Sequence, residues 1–337
     1  MHGKGFPDAR SAPAPGVRVM RTGAAAGHPG FYHQTALYGS DEEFLGFVVP
    51  FLADGLAAGE TVVAAFAGRM QELVRDALGS GSGVLFLDGD GHYGKPAQAV
   101  RRYRELFEQQ TAAGAAQIRV TGDVPHPGVG VPWEWWARYE AVVNRVYDDW
   151  PVWGLCPYDT RTTPPEVLDH VLATHPRLAT ADGDRANGAY EGPERFLGRQ
   201  PVVWRDPIEQ EAPHLMLRDP SLADTRAAVT RLAGRTGLAP DDVDAMQLAA
   251  SEAVTNAMTH GRGQVQVWLW AAPRRLVVTV RDHGRGPADP CAGLVPTGAD
   301  VGGLGLWLAY QVCSYVSQQR DGDTFTLRLV TGELPRI

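Results

Sequence analysis

The sequence predicts two folded units in one chain, an α/β domain followed by an α+β sandwich. Three observations carry that reading. The 337 residues exceed one ordinary core, at about 100–200 residues per domain. One polar, Gly/Pro-rich stretch (181–201) interrupts the apolar periodicity. The order of the periodic segments also differs on its two sides.

Upstream, short apolar runs at 61–66, 83–87, 117–120 and 152–156 read as strands and alternate with helical patterns such as 42–56 and 96–113. Alternation of that kind predicts a mostly parallel sheet covered on both faces. Trp133, Trp135 and Trp136 fall in a helix over 132–147, where core packing accounts for them better than a ligand cage does. Downstream, 222–236 and 240–259 read as helices, 264–270 and 276–282 as strands, 304–314 as a helix and 324–330 as a strand. Helices would then cover one face of a mixed sheet. The expected organisation is a flexible tail over 1–27, an α/β domain over 28–180, a linker over 181–211 and the sandwich over 212–332.

Composition excludes several classes of function. With 44% hydrophobic and 21% charged residues the chain is of ordinary globular type. Its net charge of -8 argues against a broad footprint for nucleic acid or anionic lipid. The greasiest stretch, 44–66, is broken by Pro50, Asp54 and Glu60, short of a membrane span. Residues 1–27 lack the apolar run of a signal peptide, so the expected location is cytoplasmic. Cys156, Cys291 and Cys313 are far apart and form no CxxC pair, which supports neither a disulfide framework nor a zinc ribbon.

The downstream half carries the densest chemistry. Glu252 and Asn256, four residues apart in a helical pattern, place a carboxylate and an amide on one face while Leu248, Ala249, Val254 and Ala257 can face a core. Asp282 ends a strand and is followed by Gly284 and Gly286, where the backbone can turn sharply beside a ligand. Gly302, Gly303 and Gly305 then open a helix whose free amides and positive dipole end suit phosphate.

In order and spacing these three segments resemble the N, G1 and G2 boxes of the GHKL ATPase superfamily over roughly residues 212–332, and the short stretch between Pro287 and Gly302 most resembles the anti-sigma-factor serine kinases. The resemblance implies ATP and Mg²⁺ as ligands. Asn256 would offer an amide oxygen to Mg²⁺, a hard ion that prefers oxygen. Glu252 would be the general base. Asp282 would accept a hydrogen bond from the adenine amino group, with Gly284 and Gly286 lining the base pocket, Gly303 and Gly305 the phosphates, and Thr324 completing the adenine site. The implied function is a serine/threonine kinase acting on a STAS-domain antagonist, with a sigma factor as a further partner and a homodimer as the common form. A non-catalytic, ATP-dependent switch of partner affinity is the alternative. An atypical sensor histidine kinase is the weaker one: none of the ten histidines precedes Asp or Glu, and His214 follows a proline.

Upstream, His33–Tyr38, the segment 49–62, Tyr93-Gly94, Arg119–Gly122, Tyr139-Glu140, Asn144, 155–159 and Thr174-His175-Pro176 resemble, in order, a MEDS (methanogen/methylotroph sensory) domain. That resemblance implies a RecA-like α/β fold and a sensory role. No GxxxxGK[ST] loop is present, so nucleotide hydrolysis is not expected there. His33, Tyr38, Glu60, Arg119 and Cys156, with Tyr139, Glu140 and Asp159, are the candidate sensory-ligand residues, polar groups read as lying near strand ends. A metal on Cys156 and His33 fits the residue types, with nothing in the spacing to support it.

Overall fold

The computed structural model describes residues 21–79, 81–126, 132–199, 203–289, 291–296 and 304–335. In the first half the elements are β1 (Tyr32–Tyr38), α1 (Asp41–Ala57), β2 (Thr61–Ala65), α2 (Gly68–Leu78), β3 (Leu85–Phe86), α3 (Gly89–His92), α4 (Pro96–Ala112), β4 (Ile118–Gly122), α5 (Trp133–Val146), β5 (Val152–Asp159), α6 (Pro165–Thr174), β6 (Arg177–Thr180), β7 (Gly183–Ala186) and α7 (Pro193–Gly198). They build a seven-stranded sheet in the order β3-β2-β4-β5-β1-β6-β7, parallel except for the edge strand β7. The pleat explains the two-sided burial. In β2, Val62 and Ala64 pack with Phe44, Val48 and Leu52 of α1, while Val63 and Ala65 pack with α4 and α5 on the other face.

The second half comprises β8 (Leu215–Arg218), α8 (Leu222–Ala233), α9 (Pro240–His260), β9 (Gln266–Ala272), β10 (Arg275–Asp282), α10 (Leu304–Val312), β11 (Tyr315–Asp321) and β12 (Thr324–Gly332). Its five strands run β11-β12-β10-β9-β8, every neighbouring pair antiparallel. The expected mixed sheet is therefore corrected to an antiparallel one. The strands that escaped notice are the edge strands: β8 has four residues, and β11 turns polar after Val316.

Two further segments differ from expectation. Of the tail, residues 1–20 lie outside the described residues, but Arg21 is anchored, its guanidinium donating to Gln117 Oε1 (2.7 Å) and to the Val152 carbonyl (2.8 Å). The stretch read as a linker holds β7, which pairs with β6, and Phe196, fully buried against the α4–α6 face. Composition hid them, because Gly-Asp-Arg-Ala shows no apolar alternation. The Trp cluster is core, as expected: Trp133 and Trp136 pack inside the first domain, and Trp135 joins the core of the second.

Candidate functional site

The local sequence sets α9 as the wall of a cleft. Pro240 fixes the first turn, Asp241 and Asp242 favour its positive end, and a buried Ala249, Ala253 and Ala257 line let the helix lie close on the sheet. Between α9, the end of β10 and the start of β12 lies a cavity of about 470 Å³, within the range of small-molecule sites. Asn256 lines it from α9. Asp282 lines it from the end of β10, 6% exposed, with one carboxylate oxygen accepting the Gly284 N–H. Gly286 lines it too, at φ +67°, where an added Cβ would strike the Phe325 ring. Glu252, one turn before Asn256, lies instead over the first turn of α10: a Cβ at Gly305 would run into its carboxylate.

Thr324 is not brought to the cavity. Its hydroxyl is 3.4 Å from Asp323 Oδ1, and strand alternation gives the cavity face of β12 to Phe325 and Leu327. Gly303, with Gly302, lies outside the described residues. Phe325 itself, missed from the sequence, was signalled only by its place one residue from Thr324, on the opposite side of the pleat. His260 lines the cavity, whereas His283 sits at the surface beside Asp323.

The candidate sensory residues fall into three separate places. Glu60 and Arg119 form a buried pair (2.6 Å) whose guanidinium also bonds Thr22 and the Phe51 carbonyl and stacks on Trp153, and this network ties the segment after residue 20 to α1. Tyr38 is buried in the α1-side core against Phe44, which raises its hydroxyl pKa. His33 and Cys156 do come together, Sγ to Nε2 at 3.5 Å, His33 one residue into β1 and Cys156 in the middle of β5. Two residues from distant elements join them, Glu140 of α5 and His175 after α6. Sequence spacing gave no hint of that meeting, because a crossover connection decides it.

His33 and His175 are fully enclosed, and burial pushes both ring pKa values down to about 3, so both are neutral. Burial raises the Glu140 carboxyl and the Cys156 thiol.

The first domain also grips the second. Lys95 Nζ donates to the Val312 carbonyl and Gln98 to the Gln311 carbonyl (both 2.9 Å), at the end of α10. Arg138 donates to the Ala292 carbonyl (2.8 Å), and Ala292 lines the cavity. Glu134 accepts from the Trp204 N–H (2.8 Å) and pairs with the Tyr315 hydroxyl. No described helix is long and apolar enough to cross a membrane.

Comparison with known proteins finds separate matches along the chain. No curated protein matches the chain. Among solved structures, the RsbU and RsbW domains of Rv1364c from Mycobacterium tuberculosis are similar at 19% identity over 37% of this chain and 33% of that one, with a TM-score of 0.26. Residues 32–176 match the family model of MEDS, the methanogen/methylotroph, DcmR sensory domain, and residues 217–331 match that of the histidine kinase-like ATPase domain. The chain thus carries a MEDS domain followed by a histidine kinase-like ATPase domain of GHKL type.

Proposed function

We propose that the chain is an ATP-binding signalling protein whose second domain is an anti-sigma-type serine/threonine kinase, controlled by its MEDS domain. The observation that carries this is the pairing of Glu252 and Asn256 one turn apart on α9, between the cavity that holds Asp282 and the first turn of α10. The cavity fits a nucleotide base: it is lined mostly by small and apolar side chains, with one buried carboxylate.

ATP with Mg²⁺ would supply the γ-phosphoryl group. Asp282 would accept from an exocyclic amino group and reject a base presenting a carbonyl there. Phe325, held against Gly286, would give the base an apolar wall. Asn256 would hold the metal through its amide oxygen, and the first turn of α10 would offer amide donors to phosphate. Glu252, beside that turn, would take the proton from an incoming hydroxyl. The acceptor hydroxyl would belong to a separate STAS-type antagonist, with a sigma factor as the further partner. The protein would act in the cytoplasm as a homodimer.

Transfer of label from γ-labelled ATP in a cell extract tests this, with wild type beside Glu252→Ala and Asn256→Ala. Acid-stable label on a separate small protein, lost in both variants, is the expected result. Nucleotide binding without any label would replace the kinase with a non-catalytic switch, and acid-labile label on the chain itself would mean a histidine kinase.

A further inference from the structure

Four side chains meet inside the MEDS domain, none of them lining the cavity beside Asp282: His33 of β1, Cys156 of β5, Glu140 of α5 and His175 after α6. Their ligand atoms all lie within 4.8 Å of one another. His33 Nε2 is 3.4 Å from Glu140 Oε2, His175 Nε2 is 3.6 Å from the same oxygen, and Cys156 Sγ is 3.5 Å from His33 Nε2. Three of the four residues are buried and Cys156 is half-buried.

Hydrogen bonding around the group fixes what faces its centre. Asn144 Nδ2 donates to the Glu140, Ala141 and Thr174 carbonyls, so its Oδ1 must accept from His33 Nδ1 at 3.0 Å. His175 Nδ1 donates to the Val171 carbonyl at 2.8 Å. Both rings therefore turn an Nε2 lone pair inward. Glu140 Oε1 accepts from the Tyr158 hydroxyl at 2.8 Å, which leaves Oε2 inward as well. Among the described residues, Glu140 Oε2 and His175 Nε2 are buried without a hydrogen-bond partner. Two imidazole lone pairs and a carboxyl oxygen thus converge on one point beside the Cys156 thiol. Buried acceptors left in this way cost about 1–3 kcal/mol each unless something positive joins them.

The spacing identifies what that is. Separations of 3.4–3.6 Å are too long for N···H–O bonds. These three separations match the edge of a tetrahedron around an ion with bonds of about 2.0–2.3 Å, roughly 3.3–3.8 Å, and the remaining pairs, within 4.8 Å, would close on binding. Two imidazoles, a thiolate and a carboxylate form a borderline-soft set. Each outer ligand atom is already held by Asn144, Val171 or Tyr158, the arrangement that orients metal ligands. We propose that His33, Glu140, Cys156 and His175 form a tetrahedral Zn²⁺ site in the MEDS domain.

Binding replaces the Cys156 S–H bond with an S–Zn bond and releases the thiol proton, with any proton on the Glu140 carboxyl, to solvent, with no redox change. The ion would clamp β1 and β5 to α5 and to the segment after α6. That helix α5 also carries Glu134 and Arg138, which reach the second domain.

The test uses the full, tag-free chain stripped with a chelator. Zn²⁺ titrated against a chromophoric competitor should bind at one ion per chain, and His33→Gln and His175→Gln should weaken that binding at least about 100-fold while circular dichroism stays native. Co²⁺ in the same site should show intense tetrahedral ligand-field bands with a sulfur-to-cobalt charge-transfer band, and Cys156→Ser should abolish the latter. A folded wild-type chain that takes up no Zn²⁺ overturns the proposal, as does a Co²⁺ spectrum without the charge-transfer band. Equal Zn²⁺ affinity in the folded histidine variants overturns it too. Should the variants fail to fold, the wild-type stoichiometry and Co²⁺ spectrum decide.

Discussion

At Gly286 two constraints coincide. The residue sits at φ +67°, where a side chain is strained, and an added Cβ would meet the Phe325 ring that lines the cavity. Gly322, in the turn between β11 and β12, shares the positive φ (+60°) but faces open space. Alanine at either position pays the backbone strain, of the order of 1 kcal/mol. Only Gly286→Ala should also displace Phe325, so calorimetry with an ATP analogue should show at least about tenfold weaker binding for Gly286→Ala and little change for Gly322→Ala. Equal affinities would separate Phe325 from nucleotide recognition. A second residue adds to the acid sensitivity that His33 and His175 share. His92 is buried in edge-on contact with Tyr103 (4.0 Å between centroids), its Nε2 has no hydrogen-bond partner, and burial, helped by Arg102, lowers its pKa to about 4. Unfolded, the ring takes its proton near pH 6.5, so the unfolded state binds more protons between about pH 6.5 and 4 and stability falls as pH drops through that window. The wild type should lose up to about 3 kcal/mol there that His92→Leu keeps. Denaturant unfolding of both proteins at pH 7 and pH 4.5 measures it, and parallel losses would assign the acid sensitivity elsewhere.

Elements differed in how plainly the sequence announced them. Where one side-chain period ran long enough, the reading held to within a few residues: α1, α4, α9 and β10 were each visible, because a face buried along its whole length leaves a continuous pattern. Apart from β1, whose His33, Gln34 and Thr35 break the apolar run, and its neighbour β6, the missed strands lie at edges. β7 and β8 have four residues each, too few for a period to emerge, and they pair along only one side, so selection for apolar residues is weak. The cavity proposed to take the nucleotide draws Asn256, Asp282 and Gly286 from segments whose groups are local in the sequence. Glu252 and Asn256 share a helix turn, and Asp282 and Gly286 share one loop. Thr324 went astray by a single step of the β12 pleat, which moves a side chain to the other face of the sheet. The four-residue cluster in the first domain was the least legible. His33 and Cys156 meet because β1 pairs with β5, and Glu140 and His175 arrive through α5 and the end of α6, so no spacing along the chain encodes the meeting.

The molecule as a whole is joined more tightly than a linker reading would allow. Ala97, Trp135 and Val142 of the first domain belong to the same buried cluster as Met246, Val254 and Leu329 of the second, so part of one core is supplied by both. Around it, α10 is held at both ends. Its first turn lies beside Glu252, and its last carbonyls accept from Lys95 and Gln98 of the sensory domain, with the lysine's charge placed at the negative end of the helix dipole. An event at the nucleotide cleft that shifts α10 must therefore pull on α4, and by thermodynamic reciprocity an event in the sensory domain must act on the cleft. Replacing Lys95 and Gln98 together by alanine removes two partly buried hydrogen bonds and should cost about 1–3 kcal/mol of stability. Hydrogen exchange gives the sharper reading. In the wild type, an ATP analogue should protect amides in α9 and α10 and also in α4 (Pro96–Ala112) and α5 (Trp133–Val146). In the double variant the protection of α9 and α10 should persist while that of α4 and α5 is lost. Protection of all four helices in both proteins would mean that the coupling runs through the shared core around Trp135, and a wild type whose α4 and α5 do not respond would mean that the two domains bind their ligands independently.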